Sequence, residues 1–304
     1  MKLRHLLLLA FGPLALLAAP GNEAVQAFLT KLQRETGSPG VSVAVSVRGE
    51  IAFSGGAGVS DLESGTPQDG RSVHNIGSVS KLMGTVALRQ LLTHTSGIRS
   101  YKDGEFGPDE VYSFRHYLSF EESTRYWRDD PLVFAPGTAW LYSSYGSSLL
   151  QAIIEKVSGF PLEQYLREHL WEPAGMRDTQ LDVTGRIVPR RGRGYARAAN
   201  GGAFVKARDE DVSYKYIGGG MITTDEDLCR FGAALNAGKL LKPATVAEMY
   251  RAQLPPDLPA FDDGQPKTFA PGPGQALSWR ILRDPTGLVD YGHGGEVEGT
   301  QTRC

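Results

Sequence analysis

Cysteine is nearly absent from this sequence: Cys229 and Cys304 are its only two in 304 residues. Two such distant positions make neither a disulfide framework nor a zinc site. Cys229 falls within an amphipathic stretch, so a packed free thiol is the expectation there. Long hydrophobic runs are also missing after the first twenty residues, so no later segment reads as a membrane helix. Positive charge is not in excess: 32 Lys and Arg stand against 34 Asp and Glu. No basic stripe recommends nucleic acid as a partner. The sequence has no internal repeat of 20–50 residues. It also lacks the His-Glu-x-x-His and His-x-His-x-Asp arrangements of metallohydrolases and the Gly-x-Ser-x-Gly elbow of α/β-hydrolases. Metal-dependent hydrolysis therefore has no support in the residue pattern.

What is present is an ordinary globular composition, 41% hydrophobic and 22% charged, in a chain long enough to bury a large core. Lys2, Arg4 and His5 precede an apolar run from Leu6 to Ala19, and small residues follow at Ala19-Pro20-Gly21. This is the pattern of an export signal over residues 1–21, and it predicts a periplasmic or extracellular protein without a stable membrane span. Loss of Lys2 and Arg4 would leave a net charge of −4, from 30 basic and 34 acidic residues.

Apolar spacing predicts a helix over residues 22–36, stopped by Gly37-Ser38-Pro39-Gly40. Val41-Ser-Val-Ala-Val-Ser-Val47 alternates strictly and turns at Arg48-Gly49-Glu50, so a hairpin with one buried face is expected, its second strand beginning at Ile51. Helices are predicted over 145–157, with Gly159 as the stop, over 161–170, and over 225–236 behind Thr224 as N-cap. Strands are expected at 277–282 and 288–291. Strands at both ends around a helical middle give an α/β (α+β) architecture: an antiparallel sheet built from both chain ends and flanked by helices, with an inserted, mainly helical subdomain. That makes one domain over 22–304, its sheet part in 22–77 and 215–304 and its helical part in 78–214.

Ser78-Val-Ser-Lys81 is the only Ser-x-x-Lys in the chain. On a helix the two side chains share a face one turn apart, so the lysine amine reaches the serine hydroxyl. A serine hydroxyl is a weak nucleophile and needs such a base. Alone, this tetrapeptide is equally an ordinary helix start. It is followed in order by Leu91-Leu-Thr-His-Thr-Ser-Gly-Ile98, by Pro136-Gly-Thr-Ala-Trp-Leu-Tyr-Ser-Ser-Tyr-Gly146, by the run from Gly218 to Phe231, and by His293-Gly294-Gly295. In this combination the sequence resembles the beta-lactamase-related serine hydrolases: class C beta-lactamases, D,D-peptidases, related esterases and a mitochondrial-type protease branch. Residues 93–101 and Ser213-Tyr-Lys-Tyr216 most resemble that last branch.

The resemblance implies Ser78 as nucleophile, Lys81 as its base and Tyr142 as the second proton-transfer residue. It implies Ser144, His293, Gly295 and Glu296 at the substrate and oxyanion positions, the backbone N–H groups of Ser78 and Glu296 forming the oxyanion hole. The reaction it implies is cleavage of an amide or ester through an acyl-Ser78 intermediate, on a peptide or small molecule, with no metal or organic cofactor. His94 is expected to organise a loop, and Trp140, Tyr145, Trp171 and Tyr216 to pack, Tyr216 being the best placed of these to line a site. Ser144 stands where many relatives have Asn, and Glu296 where a small residue is commoner. Relatives also carry a few tens of residues between the Ser-x-x-Lys helix and the Leu-Leu-Thr-His-Thr-Ser-Gly run, and continue past the His-x-Gly strand with further strands and a helix. The competing expectation is accordingly a truncated, non-catalytic relative that binds peptidoglycan-type peptides.

Overall fold

The computed structural model describes residues 22–76, 89–102, 105, 115–198, 202–208, 210–262, 265–267, 274–283, 286–287, 289–297 and 299–303. The export signal, Ser78, Lys81 and Cys304 lie outside the described residues.

The first helix spans Asn22–Thr36, and Gly37 leaves it with a φ of +61°. The antiparallel hairpin follows as Gly40–Val47 and Glu50–Asp61. Its second strand runs on through Gly55, Gly56 and Gly58. Gly58 explains this: its φ is +81°, and a Cβ there would lie 2.1 Å from the Pro39 carbonyl oxygen. Glycine lets the two backbones close at that point. The structure decides which face is covered. Val45 and Val47 are 40% and 50% exposed, whereas the alternate row faces the helix Asp225–Asn236, with Ser42 bonded to Asp225 and the Ser46 backbone to the Cys229 thiol. Small side chains let that helix approach, which alternation of Val and Ser does not reveal. Cys229 is the half-buried free thiol expected, and burial pushes its pKa up.

One helix ends at its expected glycine and another begins at its expected N-cap, while the Ser143 cap of the first comes from the structure. Ser143 accepts the Gly146 N–H at 2.8 Å and opens Ser144–Ser158, and Gly159 closes it at φ +75°. Thr224 accepts the Asp227 N–H at 3.1 Å and opens Asp225–Asn236. Asp227 is fully buried and receives the Asp178 N–H, the Thr179 hydroxyl and the Arg230 guanidinium. A buried carboxylate keeps its charge only when so provided. After Pro161 the chain is helical through Leu162–Leu166, passes one π-turn at Arg167–Trp171, and ends at Glu172–Ala174. Leu150, Ile154, Leu162 and Leu166 from these segments form the main core with Ile76, Ile217 and Met221. Each such side chain contributes roughly 1.5–3 kcal/mol by leaving water.

Toward the C-terminus the strands are Arg280–Arg283, paired with Val289–Gly292, and Gly294–Val297, paired with Thr300–Arg303. The strand expected from Leu277 starts three residues later. Ser278 has φ +61° and donates its N–H to the Leu92 carbonyl at 2.8 Å. A left-handed residue breaks strand geometry, and a contact so distant in sequence is invisible to periodicity. Among the described residues no helix is long and apolar enough to cross a membrane.

The segment leading to Ser78 is anchored by His74–Asn75, which pairs with Thr223 and Ile222. His74 Nε2 accepts the Gln68 side-chain N–H at 2.8 Å. Burial holds this imidazole neutral and lowers its pKa to about 4, against a smaller opposing effect of Asp69. The native state therefore binds fewer protons than the unfolded chain between about pH 6.5 and pH 4. This contribution is complete above about pH 6.5 and is lost as pH falls toward 4. Unfolding free energies from denaturant titrations at pH 7 and pH 4.5 are expected to differ more for the wild type than for His74→Gln, by about 2–3 kcal/mol.

Candidate active site

Tyr142 is held from two sides by one residue. The His94 carbonyl accepts the Leu141 N–H at 2.9 Å, and its Nδ1 accepts the Ser143 N–H at 3.2 Å. The His94 ring lies 4.6 Å from the Tyr142 ring, centroid to centroid. Because a backbone N–H only donates, His94 Nδ1 is bare and the imidazole neutral in this arrangement. Its φ of +58° is a strained value for a non-glycine residue, costing on the order of 1 kcal/mol or more. His94 thus organises the loop, as the sequence suggests, and the loop it organises is the one carrying Tyr142. Ser143 completes the lock by donating its hydroxyl to the Arg99 carbonyl at 2.8 Å.

His293 comes from the other end of the chain. It is buried, its ring centroid 6.0 Å from that of Tyr142, and its Nδ1–H donates to the Gly294 carbonyl at 2.5 Å. A carbonyl only accepts, so here Nδ1 carries the proton. The two imidazoles beside Tyr142 thus differ at Nδ1, which accepts in His94 and donates in His293.

Gly295 is pressed against the segment that enters Ser78. A Cβ at Gly295 would lie 2.0 Å from the Ile76 carbonyl oxygen and 2.5 Å from Thr302 Oγ1. Thr302 donates its hydroxyl to the same Ile76 carbonyl at 2.9 Å. The hairpin Gly294–Val297 and Thr300–Arg303, which follows His293 directly, is thereby fastened two residues before Ser78. Glu296 sits opposite Gln301 in this hairpin and is exposed.

Ser144 is buried, and its hydroxyl hydrogen-bonds Tyr101. The Tyr101 hydroxyl is raised well above its ordinary pKa, first by burial and then by the charges of Tyr145 and Glu210. Glu210 receives Lys215 Nζ at 2.5 Å and the Tyr214 hydroxyl at 2.7 Å. Both members of this ion pair are more than nine-tenths buried at the side chain. Burial of such a pair is tolerated because each charge answers the other; removing one partner strands the second. Gly218 lets this loop close on the Ser144 carbonyl, which a Cβ there would approach to 3.1 Å.

Of the seven residues expected at the site, the rings of Tyr142 and His293 are brought together, Gly295 lies against Ile76, Ser144 against Tyr101, and Glu296 is exposed. Ser78 and Lys81 fall outside the described residues. Tyr216 does not join this group through its charges: burial first, then Asp211, Glu163 and Asp182, raise the pKa of its hydroxyl to about 12, against the lowering effect of Arg186. Trp140, Tyr145 and Trp171 are buried packing residues. Sequence reasoning missed Tyr101, Glu210, Lys215 and Arg280, whose guanidinium lies 5.4 Å from the centroid of the Tyr142 ring. Tyr101 and Lys215 lie inside runs that carried the resemblance, the one available signal; nothing in a predicted strand distinguished Arg280.

The model of the Beta-lactamase family matches this chain over residues 25–88 and 84–303. This chain belongs to the Beta-lactamase family. The family match is divided at 84–88, where the sequence joins the Ser-x-x-Lys run directly to the Leu-Leu-Thr-His-Thr-Ser-Gly run. Human mitochondrial serine beta-lactamase-like protein LACTB is 25% identical, in an alignment covering 71% of this chain and 56% of the human protein. Lovastatin esterase of Penicillium rubens is 28% identical over 69% of this chain and 54% of its own length. The chain thus spans little more than half the length of these curated relatives. Among solved structures, D-amino acid amidase from Ochrobactrum anthropi SV3 superposes with a TM-score of 0.73 at 23% identity, over 91% of this chain and 85% of the amidase. At that identity the likeness speaks for the fold, which is that of this family.

Proposed function

We propose that this Beta-lactamase family member is an exported serine hydrolase that cleaves an amide or ester bond through an acyl-Ser78 intermediate. The observation that carries the reading is the meeting of three distant segments: Tyr142, the His293–Gly295 strand, and the Ile76 carbonyl two residues before Ser78. Esterase and amidase relatives support the reaction class. The basic start and apolar run at residues 2–19 support export.

In this reading Ser78 Oγ attacks the substrate carbonyl while its proton passes to the Lys81/Tyr142 pair. The backbone N–H groups of Ser78 and Glu296 receive the oxyanion, which a preorganised pair of donors stabilises without reorganisation. The same proton returns to the leaving amine or alcohol. Water then attacks the acyl group, giving its proton to the same pair, and Ser78 recovers its hydrogen as the acid leaves. Every step is a proton or acyl transfer, so the chemistry calls for no cofactor. The small residues Gly294 and Gly295 suit a substrate lying against the strand.

Incubation of the purified chain with a fluorescent fluorophosphonate or penicillin, followed by peptide mass spectrometry, is expected to place the adduct on Ser78. Absence of any adduct on the folded protein would sink the reading. The division of the family match at 84–88 favours one second reading, a non-catalytic relative that binds peptidoglycan-type peptides. Saturable binding of such fragments by a chain that forms no adduct would establish that alternative.

A further inference from the structure

A phenol that moves protons near neutral pH needs positive charge beside it, since an unperturbed tyrosine is about one part in a thousand phenolate at pH 7. The groups that face Tyr142 from the described elements are His94, His293, Arg280 and, through its hydroxyl, Tyr101. Lys81 belongs to the same set in the acyl-enzyme reading and lies outside the described residues. His94 is neutral while it accepts the Ser143 N–H. His293 is charged only when its Nε2 takes a proton. Tyr101 is held protonated by burial. A guanidinium such as that of Arg280 supplies a fixed positive charge.

The placement of Arg280 follows from strand register. Arg280 pairs with Gly292, the residue before His293, so the hairpin delivers both side chains to the same end and onto the same ring. A guanidinium over an aromatic face is attracted to it, which holds the phenol and the cation together. We propose that Arg280 is a positioning residue for Tyr142: a fixed positive charge that favours the phenolate during acyl transfer, beside a strand that presents histidine at 293. This rests on the acyl-Ser78 reading and adds a residue that neither the motifs nor the family match assigns.

The test is the pH profile of Ser78 labelling by a fluorophosphonate, followed from pH 5 to pH 10 in the full chain, for the wild type, Arg280→Gln and Arg280→Lys. Arg280→Gln is expected to move the acidic limb up by about one pH unit, and so to slow labelling roughly tenfold at pH 7 while approaching the wild-type rate at high pH. Arg280→Lys is expected to restore the wild-type limb. The midpoint of a limb is read within each variant and does not depend on what fraction of it is folded. A profile for Arg280→Gln that superimposes on the wild type, or that is lowered by one factor at all pH values, overturns the inference while leaving the acyl-enzyme reading standing. A folded wild type that takes no label overturns both.

Discussion

Ser78→Ala is expected to reduce turnover of any ester or amide substrate by about 10⁴-fold or more, the scale on which serine hydrolases lose activity with their nucleophile. The loss should appear in kcat, with substrate affinity little changed, because the hydroxyl forms its bond only on the way to the transition state. Fluorophosphonate labelling should vanish in the same variant and persist in Ser80→Ala, which changes a neighbouring serine outside the proposed chemistry. Steady-state kinetics with a chromogenic ester, together with mass spectrometry of the labelled peptide, reads both. Equal turnover by wild type and Ser78→Ala would remove the nucleophile assignment.

Gly295→Val is expected to be the most damaging change away from the nucleophile itself. Any side chain at 295 must displace either the Ile76 carbonyl, 2.0 Å from the position of the new Cβ, or Thr302 Oγ1, 2.5 Å from it. The first is backbone and cannot rotate away. Separation of the two segments also breaks the 2.9 Å hydrogen bond from Thr302 to Ile76. Forced overpacking of this kind costs about 1–3 kcal/mol of stability, while a displacement of about 1 Å between reacting groups can cost 10²-fold in rate. The expected outcome is thus a modest fall in melting temperature and a loss of activity of about 10²-fold or more. Thr302→Val removes the hydrogen bond without the clash and should cost less in both. A Gly295→Val variant with wild-type kcat would show that the His293 strand does not position the chemistry.

The contrast between these two predictions tracks what was legible beforehand. Ser78 stands out from its tetrapeptide and from the ordered runs that follow it, and needs no coordinates to be named. Gly295 was named with it by resemblance. The reason it must be glycine, contact with a carbonyl 219 positions earlier in the chain, comes only from the fold. His94 shows the intermediate case. Its role in a loop was readable from Thr93-His-Thr-Ser-Gly97, but its grip on both peptide groups around Tyr142 was not.

The sequence by itself determined the helix Asn22–Thr36, the Gly159 stop of Ser144–Ser158, the capped start of Asp225–Asn236, the first hairpin, and membership of the motif set that the Beta-lactamase family match bears out. These features are local: a cap reaches three residues and a periodic face repeats within a few turns, so the information sits in adjacent letters. Tertiary structure decided which charges surround Tyr142, why the strand at Arg280 begins late, and which face of the first hairpin meets a helix. Each depends on segments that are far apart in sequence and brought together by packing of the core around Ile76 and Met221, and residue spacing along the chain carries no record of such distances.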